Sequence, residues 1–245
     1  MNEDLNQYQT AYNPTFKFYD ENHWYLKKYA HLMIDKIRDE NLKSVLSLGI
    51  GHEVVSTEII RLLQNGILEY HIVEGSKDII NKFKERETNQ SIVMYHSFFE
   101  NFETDKKFDA IEMGFVLEHV DDPFVIIDRF KNFLSENGIM FISVPNAKSL
   151  HRLIGHEAGL LDDMYKLSPA DLELGHKRYF DIEKISALID RCDLKIESKK
   201  GLMLKPITGA QIAALGWGQN IISALMKVGE NYPEISNCMY LEVKK

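Results

Sequence analysis

The stretch KSVLSLGIGHEVVSTEI, residues 43–59, decides the fold. Its apolar run Ser44–Leu48 predicts a buried strand, a turn with Gly49 and Gly51 follows, and the spacing of the next apolar residues predicts a helix over Glu53–Leu63. Glycines between a strand and a helix let a ligand approach the backbone closely. The stretch therefore predicts a ligand-binding unit at the start of a parallel α/β sheet.

The same alternation of strand-like and helix-like segments continues along the chain and predicts a parallel sheet covered by helices. Further strands are expected at Tyr70–Val73, Ile92–Tyr95, Ala110–Met113 and Ile139–Val144, and helices at Lys77–Glu85, Pro123–Leu134 and Asp181–Asp190. Asn137-Gly138 is expected to end the second of these helices and to turn into the next strand. Late strands at Leu194–Ser198 and Met239–Val243 are expected to complete a seven-stranded sheet with an antiparallel end.

The chain divides by composition into a short first segment and one large domain. Residues 1–40 are rich in aromatic side chains, among them Phe16, Phe18 and Trp24, and are expected to form a helical lid. Residues 41–245 form the main domain, and its irregular stretch at about 146–180 is expected to be an insertion over the carboxyl edge of the sheet.

Charge and cysteine content exclude several kinds of partner. The formal charge is −8, so the chain shows no electrostatic footprint for nucleic acid or for an anionic membrane. The longest apolar region, residues 207–228, is broken by glycines and amides and does not predict a membrane span. The cysteines Cys192 and Cys238 lie in unrelated segments and suggest neither a disulfide framework nor a zinc site. We expect a cytoplasmic protein without nucleic-acid or membrane partners.

The acid that ends the second predicted strand, Glu74, stands 23 positions after Gly51. An acid there can accept hydrogen bonds from both hydroxyls of a ribose, which dinucleotide and S-adenosylmethionine sites have in common. A dinucleotide fingerprint also needs Gly or Ala where Val54 stands. The residues predict a nucleoside ligand, and a nicotinamide-dependent oxidoreductase is the disfavoured alternative.

Motifs spread over nearly the whole chain carry a resemblance to a known family. They read VLSLGIGHE (45–53), HIVEGS (71–76), YHSFFENF (95–102), FDAIEMGFVLEHVDDP (108–123), FISVPNAKSLHRLIG (141–155) and GHKRYFD (175–181). With these motifs the sequence resembles the class I S-adenosylmethionine-dependent methyltransferases, and the motif at 108–123 is the most specific. The resemblance implies a Rossmann-like fold, with a mostly parallel seven-stranded sheet, an antiparallel last strand and helices on both faces.

The first motif departs from the family at two positions. Ser47 stands where the family usually carries an acid that helps to hold the methionine end of the cofactor, and Glu53 stands where it carries a third glycine. Glu53 itself, or a residue of the N-terminal segment, is the candidate to replace that acid.

The resemblance implies a set of cofactor contacts along the carboxyl ends of the strands. Gly49 and Gly51 would approach the methionine and ribose portion of S-adenosylmethionine, and Glu74 would bind the ribose hydroxyls. The other residues implied around the cofactor are Gly75, Ser76, Ser97, Phe98 and Phe99 at the adenosine, Met113, Gly114 and Phe115 at the methionine, and Trp24 in the lid. For Phe98 and Phe99 core packing is the alternative interpretation.

Methyl transfer to a hydroxyl needs alignment, exclusion of water and a base for the hydroxyl proton. Histidine suits that task near neutral pH, and the candidates are His119 and His176, with His151 and His156 less favoured. A structural role beside the cofactor is the alternative for His119, and a loop-organising hydrogen bond is the alternative for His176.

A basic group in this acidic chain, Arg152, Lys177 and Arg178, predicts recognition of a phosphate or carboxylate on the acceptor. Solvated surface charge is the alternative interpretation. Asp121 and Asp122 are interpreted as loop and N-cap residues, and no metal site is predicted.

The motifs at 108–123, 141–155 and 175–181 resemble those of methyltransferases that act on sugars and other precursors of surface polysaccharides and secondary metabolites. The predicted function is O-methylation of a sugar-like or phosphorylated small molecule with S-adenosylmethionine. Two alternatives stay open: N-methylation of an amine, such as an amino sugar, and a catalytically idle methyltransferase-like binding protein.

Overall fold

The computed structural model describes residues 19–63 and 69–245. The expectations that fall on residues 1–18, including Phe16 and Phe18, lie outside this range. The strands are β1 Ser44–Leu48, β2 Glu69–Glu74, β3 Ile92–His96, β4 Phe108–Gly114, β5 Leu134–Pro145, β6 Lys195–Gly201 and β7 Cys238–Lys244. The helices are α1 Tyr19–Asp39, α2 Val54–Leu63, α3 Lys77–Arg86, α4 Pro123–Phe130, α5 Leu150–Glu157, α6 Pro169–Glu173, α7 Ile182–Arg191, α8 Gly209–Leu215 and α9 Gln219–Gly229.

The strands form one sheet in the order β3-β2-β1-β4-β5-β7-β6. The first five are parallel to one another, and β7 runs antiparallel to both β5 and β6. The expected seven-stranded, mostly parallel sheet with an antiparallel last strand is confirmed. The carboxyl ends of β1 to β4 meet at one edge, which is where an open sheet of this kind binds its ligand.

The expectation for Asn137-Gly138 was wrong. Helix α4 ends at Phe130, a short 3₁₀ turn follows over Lys131–Phe133, and Asn137 and Gly138 lie inside β5. The pairing of β4 with β5 shifts register after Phe108, so the extra residues are accommodated as an irregularity within the strand. Gly138 is needed there because a Cβ atom would lie 2.8 Å from the Leu134 side chain.

Two apolar cores lie on the two faces of the sheet. One packs α4 and α7 against the sheet, and the other packs α1 and α2 against the opposite face. The Tyr25, Tyr29, Met33 and Ile37 side chains of α1 are buried in the second core. Helix α1 is therefore a layer of the domain, and a lid function of residues 1–40 stays a prediction.

Within residues 19–63 and 69–245, no helix is both long and apolar enough to cross a bilayer.

Candidate active site

The turn after β1 is built around two residues with left-handed backbone. Gly49 has φ of 85° and Gly51 has φ of 54°, a region in which glycine avoids the steric penalty of a side chain. A Cβ atom on Gly49 would lie 3.8 Å from the Phe99 ring and 3.9 Å from Oε2 of Glu74. The loop thus lies against both an aromatic ring and an acid, and its open backbone can serve as a ligand cradle.

Glu74 is fixed beneath this loop by backbone amides. Its Oε2 accepts a hydrogen bond from Ile50 N at 3.1 Å, and its Oε1 accepts one from Ser76 N at 2.7 Å. Burial raises the pKa of Glu74, while the amides of Ser76, Ile50 and Gly75 act in the opposite direction. A carboxylate has about four acceptor sites, so Glu74 can still accept from ribose hydroxyls.

The residues expected around the adenosine lie at the ends of β2 and β3. Ser76 caps α3 and accepts a hydrogen bond from Ile79 N at 3.2 Å. Ser97 N donates to Glu74 O at 3.1 Å, which joins the two strand ends. Phe98 and Phe99 are both half-buried, and Phe99 packs against the core and lies edge-on to Phe130. The structure brings these residues, with Gly75, to one edge of the sheet.

The end of β4 carries the residues expected at the methionine portion. Met113 is fully buried in the core, so its side chain serves packing. A Cβ atom on Gly114 would lie 2.5 Å from the Tyr29 ring, which explains the glycine. Phe115 packs edge-on against Tyr29, with ring centroids 6.2 Å apart. Trp24 is half-buried and packs against the core that contains Tyr29.

A buried acid on β4 was missed by the sequence interpretation. Glu112 pairs in register with Ser47 of β1, and its Oε1 accepts a hydrogen bond from Gly114 N at 2.7 Å. Burial raises its pKa to about 7, against the lowering effect of hydrogen bonds from Gly114, Ser47 and Tyr29. The informative feature of the sequence is a charge inside the otherwise apolar run AIEMG, residues 110–114.

A cluster of one acid and two histidines follows β4. The rings of His119 and His176 are in edge-on contact, with centroids 4.9 Å apart. Glu118 is completely buried, and neither of its carboxylate oxygens finds a hydrogen-bond partner among the described residues. Burial raises the pKa of Glu118 to about 7 and lowers that of His119 to about 3. His119 is therefore neutral near pH 7 and a weak base.

Asp171 holds His176 from the other side. Its Oδ1 accepts a hydrogen bond from Nδ1 of His176 at 3.1 Å, and both carboxylate oxygens accept from the Tyr179 hydroxyl at 2.9 Å. Burial by itself would raise the pKa of Asp171, but hydrogen bonds from His176 and Ser168 hold it well below its usual range. Asp171 was also missed, although it stands only five residues before His176 and forms a capping box with Ser168 that the sequence could have indicated.

Glu118, His119 and His176 bring possible metal-ligand atoms within 4.8 Å of one another. Two imidazoles and a carboxylate are a set that first-row divalent ions accept. The expectation of no metal site stays a prediction.

The basic residues expected to bind the acceptor form hydrogen bonds and an ion pair with other residues of the protein. Arg152 donates to Met164 O and Lys166 O, and its guanidinium lies 4.3 Å from the centre of the Tyr179 ring. Arg178 donates to the carbonyls of Leu117, Val120 and Asp121, and Lys177 pairs with Asp121. Both arginines organise the insertion around the acid–histidine cluster, and acceptor recognition by the three residues stays a prediction.

The two less favoured histidines lie outside the cluster. His151 is paired with the Ser149 hydroxyl at 3.2 Å, and burial lowers its pKa to about 3. His156 is exposed and bonds to Leu161 O at 2.8 Å.

Comparison with known proteins shows what this chain is similar to. Residues 22–199 match the model of a family described as a methyltransferase domain. The mitochondrial ubiquinone biosynthesis O-methyltransferase of Dictyostelium discoideum is 28% identical over 131 residues, which are 52% of this chain and 40% of that protein. The ubiquinone biosynthesis O-methyltransferase of Shewanella sp. (strain ANA-3) is 25% identical over 173 residues, 68% of this chain and 70% of that protein.

The fold has counterparts among solved structures. The plantazolicin methyltransferase BpumL, in complex with SAH, superposes with a TM-score of 0.61 at 13% identity, over 100% of this chain and 91% of its own. At that identity the likeness shows the fold.

Proposed function

Because this chain belongs to the methyltransferase-domain family, we propose that it transfers the methyl group of S-adenosylmethionine to a hydroxyl group of a small molecule. The carboxyl edge of β1 to β4 fits the cofactor: Gly49 and Gly51 form an open cradle, and the buried Glu74 carboxylate can accept from the ribose hydroxyls. When bound, S-adenosylmethionine supplies an electrophilic methyl group on its sulfonium. The protein must place the acceptor oxygen in line with that methyl group and exclude water.

The observation that best supports an oxygen acceptor is the hydrogen-bonded pair of Asp171 and His176. Asp171 is ionised and can only accept, so the hydrogen of the 3.1 Å bond sits on Nδ1 of His176. The lone pair of the imidazole is then on Nε2, where it can take the proton of an acceptor hydroxyl. We assign this base role to His176 rather than to His119, whose burial makes it a much weaker base.

Two observations support a hydroxyl group as the acceptor. The base supports a hydroxyl over an amine, because a neutral amine is nucleophilic without losing a proton first. The two curated relatives are both named O-methyltransferases. Two classes of acceptor remain to be compared. One is the sugar-like or phosphorylated acceptor expected from the sequence, and the other is a ubiquinone precursor, after the names of the relatives.

The test begins with cofactor binding. Calorimetry with S-adenosylhomocysteine is expected to show binding to the wild type and about 10- to 100-fold weaker binding to Glu74→Ala, which loses hydrogen bonds to a charged group. The control is Glu100→Ala, an exposed acid near the same edge. Absence of binding to the wild type at millimolar ligand would favour the idle binding protein.

The acceptor is then identified by turnover. The wild type and S-adenosylmethionine are incubated with a panel of ubiquinone precursors, nucleotide sugars and amino sugars, and the methylated product is located by mass spectrometry. An O-methylated product supports the proposal. A product methylated only on nitrogen contradicts it and selects the N-methyltransferase.

A further inference from the structure

The otherwise apolar interior of β4 carries a buried carboxylate, Glu112. Glu112 is 4% exposed and pairs in register with Ser47 of the neighbouring strand β1. Paired residues on adjacent strands point to the same face of a sheet, so the two side chains are neighbours. Ser47, which stands where the resemblance leads us to expect an acid, therefore has an acid as its neighbour on the adjacent strand.

Polar groups surround Glu112, and no cationic side chain of residues 19–63 or 69–245 forms an ion pair with it. Its Oε1 accepts a hydrogen bond from Gly114 N at 2.7 Å, and the nearby hydroxyls of Ser47 and Tyr29 lower the pKa of the carboxyl group. The titratable groups that face it are Tyr29 of α1 and Tyr70 of β2, and burial raises the pKa of both phenols, which keeps them neutral. None of the ion pairs formed between described residues includes Glu112. Burial of an ionised carboxylate is expensive without an opposite charge, so a cationic ligand would stabilise this one.

The position of Glu112 is suited to a ligand in the glycine cradle. Its neighbour Ser47 lies two residues before Gly49. Gly114, whose amide donates a hydrogen bond to Glu112, is the last residue of β4. The carboxylate is therefore drawn toward the carboxyl edge, on the side of the sheet covered by α1. This is the end of the site at which Gly49 and Gly114 are expected to meet the methionine portion of the cofactor.

The candidates expected to replace the acid at Ser47 are committed to other contacts. Glu53 forms an ion pair with Arg86 of α3, and its side chain is partly exposed. In the described part of the N-terminal segment, Glu21 pairs with Lys205 and accepts a hydrogen bond from the Tyr25 hydroxyl. The expectation that one of them takes over the contact is not supported by these geometries.

We propose that Glu112 holds the α-ammonium group of S-adenosylmethionine and so replaces the acid that this family usually carries at the position of Ser47. The inference rests on the proposed function for the identity of the ligand. It adds a residue to the site and explains why Ser47 is tolerated in the first motif.

Protonation supports this assignment. Burial raises the pKa of Glu112 to about 7 in the protein without ligand, and a bound ammonium group would lower it. Binding near pH 7 is then accompanied by release of part of a proton from Glu112. Proton release is measured by calorimetry in buffers of different ionisation enthalpy.

The experiment compares two ligands and two proteins by calorimetry. The ligands are S-adenosylhomocysteine and its analogue in which hydrogen replaces the amino group, and the proteins are the wild type and Glu112→Gln. The wild type is expected to prefer S-adenosylhomocysteine by about 10- to 100-fold, as for a hydrogen bond to a charged group, and to release protons. Glu112→Gln is expected to bind both ligands with equal affinity. Its binding of S-adenosylhomocysteine should release no more protons than its binding of the analogue does.

A second variant tests the exchange of positions directly. The double variant Ser47→Asp with Glu112→Gln places the acid on β1, where Asp can still accept a hydrogen bond from the Tyr70 hydroxyl. This variant is expected to restore the preference for S-adenosylhomocysteine over the analogue. An equal preference in the wild type and Glu112→Gln overturns the inference. If Glu112→Gln fails to fold, the wild type decides: equal affinity for both ligands overturns the inference, and a preference with proton release supports it. A wild type that binds neither ligand contradicts the proposed function itself.

Discussion

The Asp171 carboxylate accepts a hydrogen bond from Nδ1 of His176 across 3.1 Å, and both side chains are only 10% exposed. Asp171 belongs to the capping box of the short helix α6, and His176 lies in the loop that follows it. The helix cap thus also fixes the orientation and tautomer of the histidine. Correct folding of the insertion is therefore needed to hold His176 in the tautomer that the proposed base requires.

The first prediction concerns Asp171→Asn. The amide can donate a hydrogen to Nδ1 of His176 and so stabilise the other tautomer, in which Nε2 carries the hydrogen and cannot accept one. We expect kcat to fall by about 10²-fold, within the range for loss of general base catalysis, with unchanged affinity for S-adenosylhomocysteine. The control is Ser168→Ala, which removes the hydroxyl from the same capping box but leaves the contact with His176. Equal losses of kcat in both variants would show that Asp171 acts only through the helix cap.

The second prediction separates the two histidines of the cluster. His176→Gln is expected to lower kcat by about 10²–10⁴-fold while leaving cofactor affinity intact. His119→Gln is expected to change thermal stability more than turnover, because burial lowers the pKa of His119 to about 3 and makes it a poor base. His156→Gln, at an exposed position of α5, is the control. Wild-type turnover in His176→Gln would remove the base from the proposed mechanism.

The fold could be predicted from the sequence because its determinants are local. The apolar runs indicate their elements directly, and Asp122 caps α4 as expected. The length of α4 could not be predicted in this way. Leu134 was expected in that helix, but it pairs with Phe108 of β4 in a strand, which is a contact between distant parts of the chain.

The residues expected at the cofactor were named from motifs, whereas the acid–histidine cluster was not predicted as a cluster. His119 and His176 were named from their positions, but their contact depends on the insertion that returns to β4. Glu118 stands beside His119 in the quoted motif, and only its complete burial distinguishes it from a solvated loop acid. Sequence spacing carries no information on burial of that kind.

The third prediction concerns metal ions. Proton transfer to His176 needs no Lewis acid, so we expect that dialysis against EDTA leaves turnover unchanged. Added Zn²⁺ is expected to inhibit, because Glu118, His119 and His176 place ligand atoms within 4.8 Å of one another and the ion would occupy the base. The control is Zn²⁺ with His119→Gln, in which inhibition should be weaker. Loss of turnover on EDTA treatment that a divalent ion restores would identify a metal centre instead.

The fourth prediction concerns stability and pH. The pKa of Glu118 is about 7 in the folded protein against an ordinary value of 4.5, so the folded state retains a proton that the unfolded chain releases. The stabilisation is fully present below about pH 4.5 and is lost as the pH rises through about 7. Glu118→Gln is expected to gain about 3 kcal/mol relative to the wild type between pH 4.5 and 8, measured as the free energy of unfolding in urea. A pH-independent difference, compared with Glu100→Gln as the exposed control, would contradict the raised pKa.

The last prediction concerns Glu53, which stands at the position of the family's third glycine. Its φ is 62°, and a left-handed backbone costs a residue with a side chain roughly 1–2 kcal/mol. The compensating ion pair with Arg86 joins side chains that are 26% and 63% exposed, and such surface pairs contribute about 0–1 kcal/mol. The cost of the left-handed backbone therefore exceeds the stabilisation from the ion pair. Glu53→Gly is expected to raise the free energy of unfolding by about 0.5–1 kcal/mol, with Arg86→Ala as the control for the lost pair. The affinity of Glu53→Gly for S-adenosylhomocysteine should equal that of the wild type, because Glu112 and not Glu53 is proposed to hold the ammonium group. A loss of this affinity in Glu53→Gly, without one in Arg86→Ala, would instead assign the ammonium contact to Glu53.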